Sequence, residues 1–153
     1  RRIKLRALVQ RVSSGYVKVE EENYSAEINK GMVILLGVNE NDTDEDMQFV
    51  ADKCSNLRIF DDDNGKMNLS LNDIGGEVLV ISQFTLYGDC RKGNRPNFMF
   101  AAKPDKAMDL YEKFINRMKQ NLGEDRVKTG IFGAMMQVKI INEGPVTLLV
   151  ESK

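Results

Sequence analysis

Apolar residues recur at every second position near the start of the chain. Leu5, Ala7 and Val9 alternate with Arg6, Leu8 and Gln10, the period of a strand with one face buried. Residues 5–12 are therefore predicted as a strand, and residues 16–20, which alternate less ambiguously, as another. The run GMVILLGV, residues 31–38, is apolar without a break, as in a strand covered on both faces. The period then changes. Met47, Val50, Ala51 and Cys54 fall at i, i+3, i+4 and i+7, one face of a helix, and Thr43 with Asp46 forms the T-x-x-D signature of its N-terminal cap. LRIF and MNLSL flank DDDNGK, where Asn64-Gly65 signals a hairpin. Residues 77–87 are predicted as a further strand. Pro104 suits the first turn of a second helix, and Ala107, Leu110, Phe114, Met118 and Leu122 give that helix an apolar stripe. Two strand runs, 136–141 and 146–150, close the chain. NEGPVT reads as the turn between them, because Pro145 has no N–H for a ladder and Gly144 tolerates unusual backbone angles. Strands outnumber helices and several are joined by hairpin-length connections. The expected fold is a single α/β domain over residues 1–153, with mixed, antiparallel-rich sheets and two principal helices packed on them.

Composition narrows the function. A chain of 153 residues, 42% apolar and 29% charged, has the length and balance of one soluble globular domain. No apolar stretch approaches the roughly 18 residues of a membrane span, and the basic start RRIKLRALVQRV lacks the apolar core of a signal peptide. Cys54 and Cys90 form no C-x-x-C pair, so reduced thiols and a cytoplasmic location are expected. With 0 His and 2 Cys a zinc site has no ligand set, and no cofactor is expected. The acidic stretch at residues 61–65 lacks the glycine position and the twelfth-place glutamate of a calcium loop. Net charge is −1, so a nucleic-acid partner has to be held by a local cluster.

Two stretches invite chemistry. In EVLVISQFTLYGD an apolar run delivers Ser82, Gln83, Phe84 and Thr85 to one end of a strand, a suitable place for acyl chemistry, yet the chain offers no imidazole to take a proton. The loop GDCRKGNRPNF, residues 88–98, carries Arg91, Lys92 and Arg95, with Phe98 placed to stack a base. It reads either as a solvated turn or as a phosphate-contacting loop beside the site, and it lacks the spacing of a P-loop. Cys90 stands beside Arg91 and Lys92 with no base for nucleophilic chemistry.

SQFTL, the R-K-G-x-R-P-x-F loop, the FG-x-x-M-Q-V run that holds Met136, the closing N-x-G-P-V-T and the opening ALVQRV resemble, in order and separation, the D-aminoacyl-tRNA deacylase family (D-tyrosyl-tRNA deacylase in older naming). The resemblance covers residues 5–151, and residues 1–4 stand ahead of where the family usually begins, as an expected extension. It implies a homodimer that hydrolyses the ester between a D-amino acid and the 3′ adenosine of tRNA, with each active site at the dimer interface. Gly144-Pro145 is then expected to be a cis dipeptide reaching into the other subunit's site, its carbonyls holding the substrate's α-amino group, with Arg11 supporting its orientation. Ser82, Gln83, Phe84 and Thr85 are expected to line the pocket, with Ala101 and Met136 in contact with the substrate and Arg91, Lys92, Arg95 and Phe98 in contact with tRNA. Backbone N–H groups and the RNA's own 2′-hydroxyl answer the missing imidazole; the rival is a covalent Thr85, which needs an adjacent base. Glycyl-tRNA, with no side chain to clash, is a further expected substrate. Two other classes stay open: an RNA-end-binding protein without catalysis, and a general esterase unrelated to RNA.

Overall fold

The computed structural model describes residues 4–153, so nearly all of the expected N-terminal extension, residues 1–3, lies outside the described residues. One strand organises the molecule. β1 (Arg6–Val19) runs for 14 residues and pairs antiparallel with three others: β2 (Tyr24–Ile28), β3 (Gly31–Gly37) and, at the end of the chain, β8 (Gln137–Glu151). The two strands predicted at 5–12 and 16–20 are thus one, and β2 was not foreseen. From β3 the chain enters α1 (Asp44–Asn56), whose Thr43 cap makes the reciprocal bonds with Asp46 that the sequence predicts. A small ribbon of β4 (Phe60–Asp61) and β5 (Met67–Leu69) follows, closed by a turn in which the Asp62 N–H donates to the Lys66 carbonyl. The four-residue α2 (Leu71–Ile74) leads into β6 (Glu77–Ser82), which lies parallel to β3. The 19-residue α3 (Pro104–Leu122) crosses over to β7 (Val127–Thr129), parallel to β6. The main sheet has the order β2-β1-β3-β6-β7 with β8 on the other side of β1. The fold is α/β with a mixed sheet, two long helices and one short one.

Two further predictions are corrected. The strand expected over 77–87 ends at Ser82, and Phe84–Tyr87 form a 3₁₀ turn. The alternation of FTLY continued the strand period, but Gln83 is the last residue to bond along β3, its N–H donating to the Leu36 carbonyl at 2.8 Å. The final two strands are one strand, and NEGPVT is a bulge in it. Val12 stands opposite Asn142 and Gln10 opposite Thr147, so Arg11 alone faces the four residues between.

Both faces of the sheet are covered. On one, Val9, Met32, Ile34, Val78 and Val80 pack against Met47, Val50 and Cys54 of α1 and Leu110, Phe114 and Met118 of α3. Each such buried side chain contributes roughly 1.5–3 kcal/mol relative to exposure. On the other, Val12, Val17, Ile28, Val33, Leu79 and Ile81 form a second cluster, against which Met136, Val138 and Ile140 pack. Burial pushes the Cys54 thiol up to about 12 and keeps it protonated. Among the described residues no helix is long and apolar enough to cross a membrane.

Candidate active site

β3 and β6 are parallel neighbours, and a crevice opens beyond their carboxyl ends, the place where open α/β sheets present ligand sites. The apolar run that makes β6 a central strand, Val78–Ile81, is fully buried and carries Ser82 to that edge. There the chain turns sharply. Tyr87 anchors the turn: its ring is 3% exposed, and its hydroxyl makes hydrogen bonds with the carbonyls of Gly37 (3.2 Å) and Lys4. The Arg6 guanidinium lies 5.2 Å from the centre of the Tyr87 ring. Gly37 is required here, because a Cβ on it would come within 2.9 Å of that ring and 3.2 Å of the Gln83 carbonyl.

The crevice is a cavity of about 710 Å³. Leu36, Ile81, Ser82, Gln83 and Phe84 form its floor and lip, Phe98, Ala101, Ala102 and the first turn of α3 one wall, and Phe132–Met136 with Val138 the other. The wall is almost wholly apolar; its polar side chains are those of Ser82, Gln83 and Lys103, and it contains no carboxylate. The Gln83 amide donates to the Thr85 hydroxyl. No side chain caps the 3₁₀ turn, and its first N–H groups, on Phe84 and Thr85, find no acceptor within the turn. At the mouth Phe84 and Phe98 meet edge to face, 5.2 Å between centres, and remain 55% and 37% exposed.

The structure thus brings together Ser82, Gln83, Phe84, Phe98, Ala101 and Met136. Thr85 is the next residue along the turn, exposed, and does not line the cavity. The sequence reading missed Phe132, Met135 and Lys103. The first two sit in the FG-x-x-M-Q-V run, which carried a signal, whereas a single lysine ahead of a helix carries none.

The basic loop divides. Arg91 forms a two-pronged ion pair with Asp89, at 2.8 and 2.9 Å, which holds the Asp89 carboxyl down at about 2. Arg91 also lines a separate depression with Arg6, Tyr87 and Phe100. It is therefore engaged within its own loop. Lys92 and Arg95 are exposed and make no ion pair among the described residues.

Arg11, Gly144 and Pro145 lie away from this chain's own cavity. The Gly144-Pro145 bond is cis, and Gly144 has φ 118°. Arg11, 7% exposed, braces the bulge: its Nε donates to the Glu143 carbonyl at 3.1 Å, and its Nη1 to the Ile59 carbonyl at 2.8 Å and to Asp61 at 3.3 Å. The Asn142 amide closes the bulge by donating to the Arg11 and Val146 carbonyls at 2.9 and 3.0 Å.

Known proteins with this sequence pattern and fold point one way. The family model described as D-Tyr-tRNA(Tyr) deacylase matches residues 8–151. The D-aminoacyl-tRNA deacylase of Desulfatibacillum aliphaticivorans is 57% identical over 149 residues, 97% of this chain and 100% of that protein. The D-aminoacyl-tRNA deacylase of Natranaerobius thermophilus is 56% identical over 148 residues, 97% of each chain. Among solved structures, the c-Myc DNA unwinding element binding protein superposes with a TM-score of 0.90 at 37% identity, covering 97% of this chain and 99% of its own. Matched over 97% of its length by such relatives, and across the SQFTL strand end and the NEGPVT bulge by the family model, the chain belongs to the D-Tyr-tRNA(Tyr) deacylase family.

Proposed function

We infer that this chain hydrolyses the ester bond of D-aminoacyl-tRNA, releasing free D-amino acid and tRNA, as a chiral proofreading enzyme of translation. The observation that carries the reading is an apolar cavity of about 710 Å³ with Ser82, Gln83 and Phe84 on its wall, at the start of a 3₁₀ turn that no side chain caps. An aminoacyl ester is already activated, so the protein has to stabilise charge and position the reactants rather than supply a strong base. In this reading the ester carbonyl lies against the Phe84 N–H at the cavity wall, with the Thr85 N–H next along the turn. As water adds, charge develops on that oxygen, and fixed dipoles in a dry site stabilise it well. The 2′-hydroxyl of the terminal adenosine orients or activates the water, in place of a protein base. Ala101, Met136 and Phe98 bound the space for the substrate.

Chirality enters through a second subunit. β8 pairs only with β1 among the described strands, and along it Ile141, Leu148 and Leu149 are 45%, 38% and 52% exposed. A long apolar edge of this kind favours pairing with another chain. In the homodimer the Gly144-Pro145 bulge of one subunit enters the cavity of the other. Its carbonyls accept from the α-ammonium, and rigid main chain leaves no room for an L side chain. Glycyl-tRNA escapes this rejection and is a further substrate. The enzyme acts in the cytoplasm, with tRNA as its partner.

The test is release of labelled amino acid from matched D- and L-tyrosyl-tRNA, with sedimentation run beside it. Rapid hydrolysis of the D ester, survival of the L ester and a dimeric mass are expected. Tight retention of D-tyrosyl-tRNA without release would identify an RNA-end-binding protein instead. Equal turnover of a D-amino-acid ester lacking the nucleoside would identify a general esterase.

A further inference from the structure

Among the residues that line the cavity, Lys103 alone carries a charge. Its backbone is pinned: the Lys103 N–H donates to Glu40 Oε2 at 3.1 Å, and the neighbouring Lys106 ammonium donates to the Glu40 carbonyl. The Lys103 ammonium itself has no hydrogen-bond or ion-pair partner among the described residues. The residue is exposed while Ala102 and Ala107 beside it are buried, so its charge sits at the rim of the cavity and not in its depth.

An ammonium at the rim of an apolar pocket is placed to meet an anion on a ligand that enters there. In an aminoacyl-adenosine end the carboxyl is esterified and the amino group is cationic, which a lysine repels. The nearest anion is the phosphodiester on the 5′ side of the terminal adenosine. We propose that Lys103 receives this phosphodiester and acts as a substrate-positioning residue, fixing how far the RNA end enters the cavity. The assignment rests on the deacylase function given above. Lys92 and Arg95 stand on the loop that runs into Phe98 at the same cavity, and they serve phosphates farther along the strand.

The experiment compares wild type, Lys103→Ala and Lys103→Arg on D-tyrosyl-tRNA across a salt series, and on D-tyrosyl-adenosine, which has no phosphate. For Lys103→Ala on tRNA, KM is expected to rise about five- to tenfold at low salt with kcat little changed. The slope of log kcat/KM against log salt becomes shallower by about 0.7, one phosphate of a single strand. Lys103→Arg restores both, and all three proteins turn over the phosphate-free ester equally. Unchanged KM and salt slope for Lys103→Ala would overturn the proposal. So would an equal loss on D-tyrosyl-adenosine, or a defect confined to D-aspartyl- and D-glutamyl-tRNA, which would assign the lysine to the amino-acid side chain. Wild-type protein that leaves D-tyrosyl-tRNA intact is a distinct result: it removes the deacylase function and this proposal with it.

Discussion

The Thr85 hydroxyl already accepts from the Gln83 amide, and no carboxylate or amine of a described residue bonds to it. A threonine in that state is a poor nucleophile, because nothing takes its proton. The reaction proposed above uses only its backbone N–H, and the residue does not line the cavity. Thr85→Ala keeps that N–H and is expected to retain D-aminoacyl-tRNA hydrolysis within about tenfold, or about 1.4 kcal/mol. A loss of about a thousandfold in single-turnover assays, with an unchanged circular dichroism spectrum, would return the covalent mechanism.

At the level of elements, the Arg11 bulge and the α1–α3 contact make separate claims. Gly144 has φ 118°, and a Cβ on it would lie 2.8 Å from Arg11 Nη2. Gly144→Ala is thus expected to distort the bulge and to press on Arg11 and on Val146, which packs against the helix-side core. Hydrolysis of the D ester should fall at least about tenfold, and the urea midpoint should fall with it, because alanine at a positive φ is strained and the bulge packs on the core. Across the helices, Arg117 of α3 grips Asp52 of α1 at 2.8 and 2.9 Å, and Asn121 adds a third bond. The Arg117 hydrogen bonds hold the Asp52 carboxyl below its ordinary 3.8. A depressed carboxyl contributes stability above its unfolded pKa and loses it as pH falls through the folded value. Asp52→Asn should therefore lower the urea midpoint at neutral pH, with the gap to wild type closing in acid below about pH 4. The two long helices were legible in the sequence because a 3.6-residue period identifies both, with a capping pair opening α1 and Pro104 opening α3, whereas the four-residue α2 was not read. The end of the chain was less so. Pro145 and Gly144 break the strand alternation, and only pairing with the 14-residue β1, remote in sequence, shows that β8 continues through them. The turn after Ser82 was hidden for the opposite reason: FTLY prolongs the alternation, and tertiary anchoring by Tyr87 ends the strand. The SQFTL end of the site was legible from its own apolar run, whereas its opposite wall, Phe132–Met136, showed itself only through family resemblance.

For the molecule as a whole, 22 basic residues nearly balance 23 acidic ones. With Arg91 engaged by Asp89, the cations offered to tRNA are Lys103 at the cavity and Lys92 and Arg95 on the loop that runs into Phe98. Three phosphate contacts predict a shallow salt dependence of tRNA binding, with a slope of log K against log salt of about −2 to −3. A slope near −8, measured by filter binding across a salt series, would reveal a broad basic surface and contradict this balance.

The Gly144-Pro145 bulge stands outside the cavity of its own chain. If each site joins one subunit's cavity to the other's bulge, every chain carries half of two different sites, and defects become complementable. A chain disabled at the bulge and a chain disabled at the cavity are each inactive as homodimers. Refolded together in equal amounts, half of the dimers are mixed, and each mixed dimer has one site made of two intact halves. About a quarter of the wild-type activity should reappear. Recovery of nothing would place cavity and bulge in the service of the same subunit.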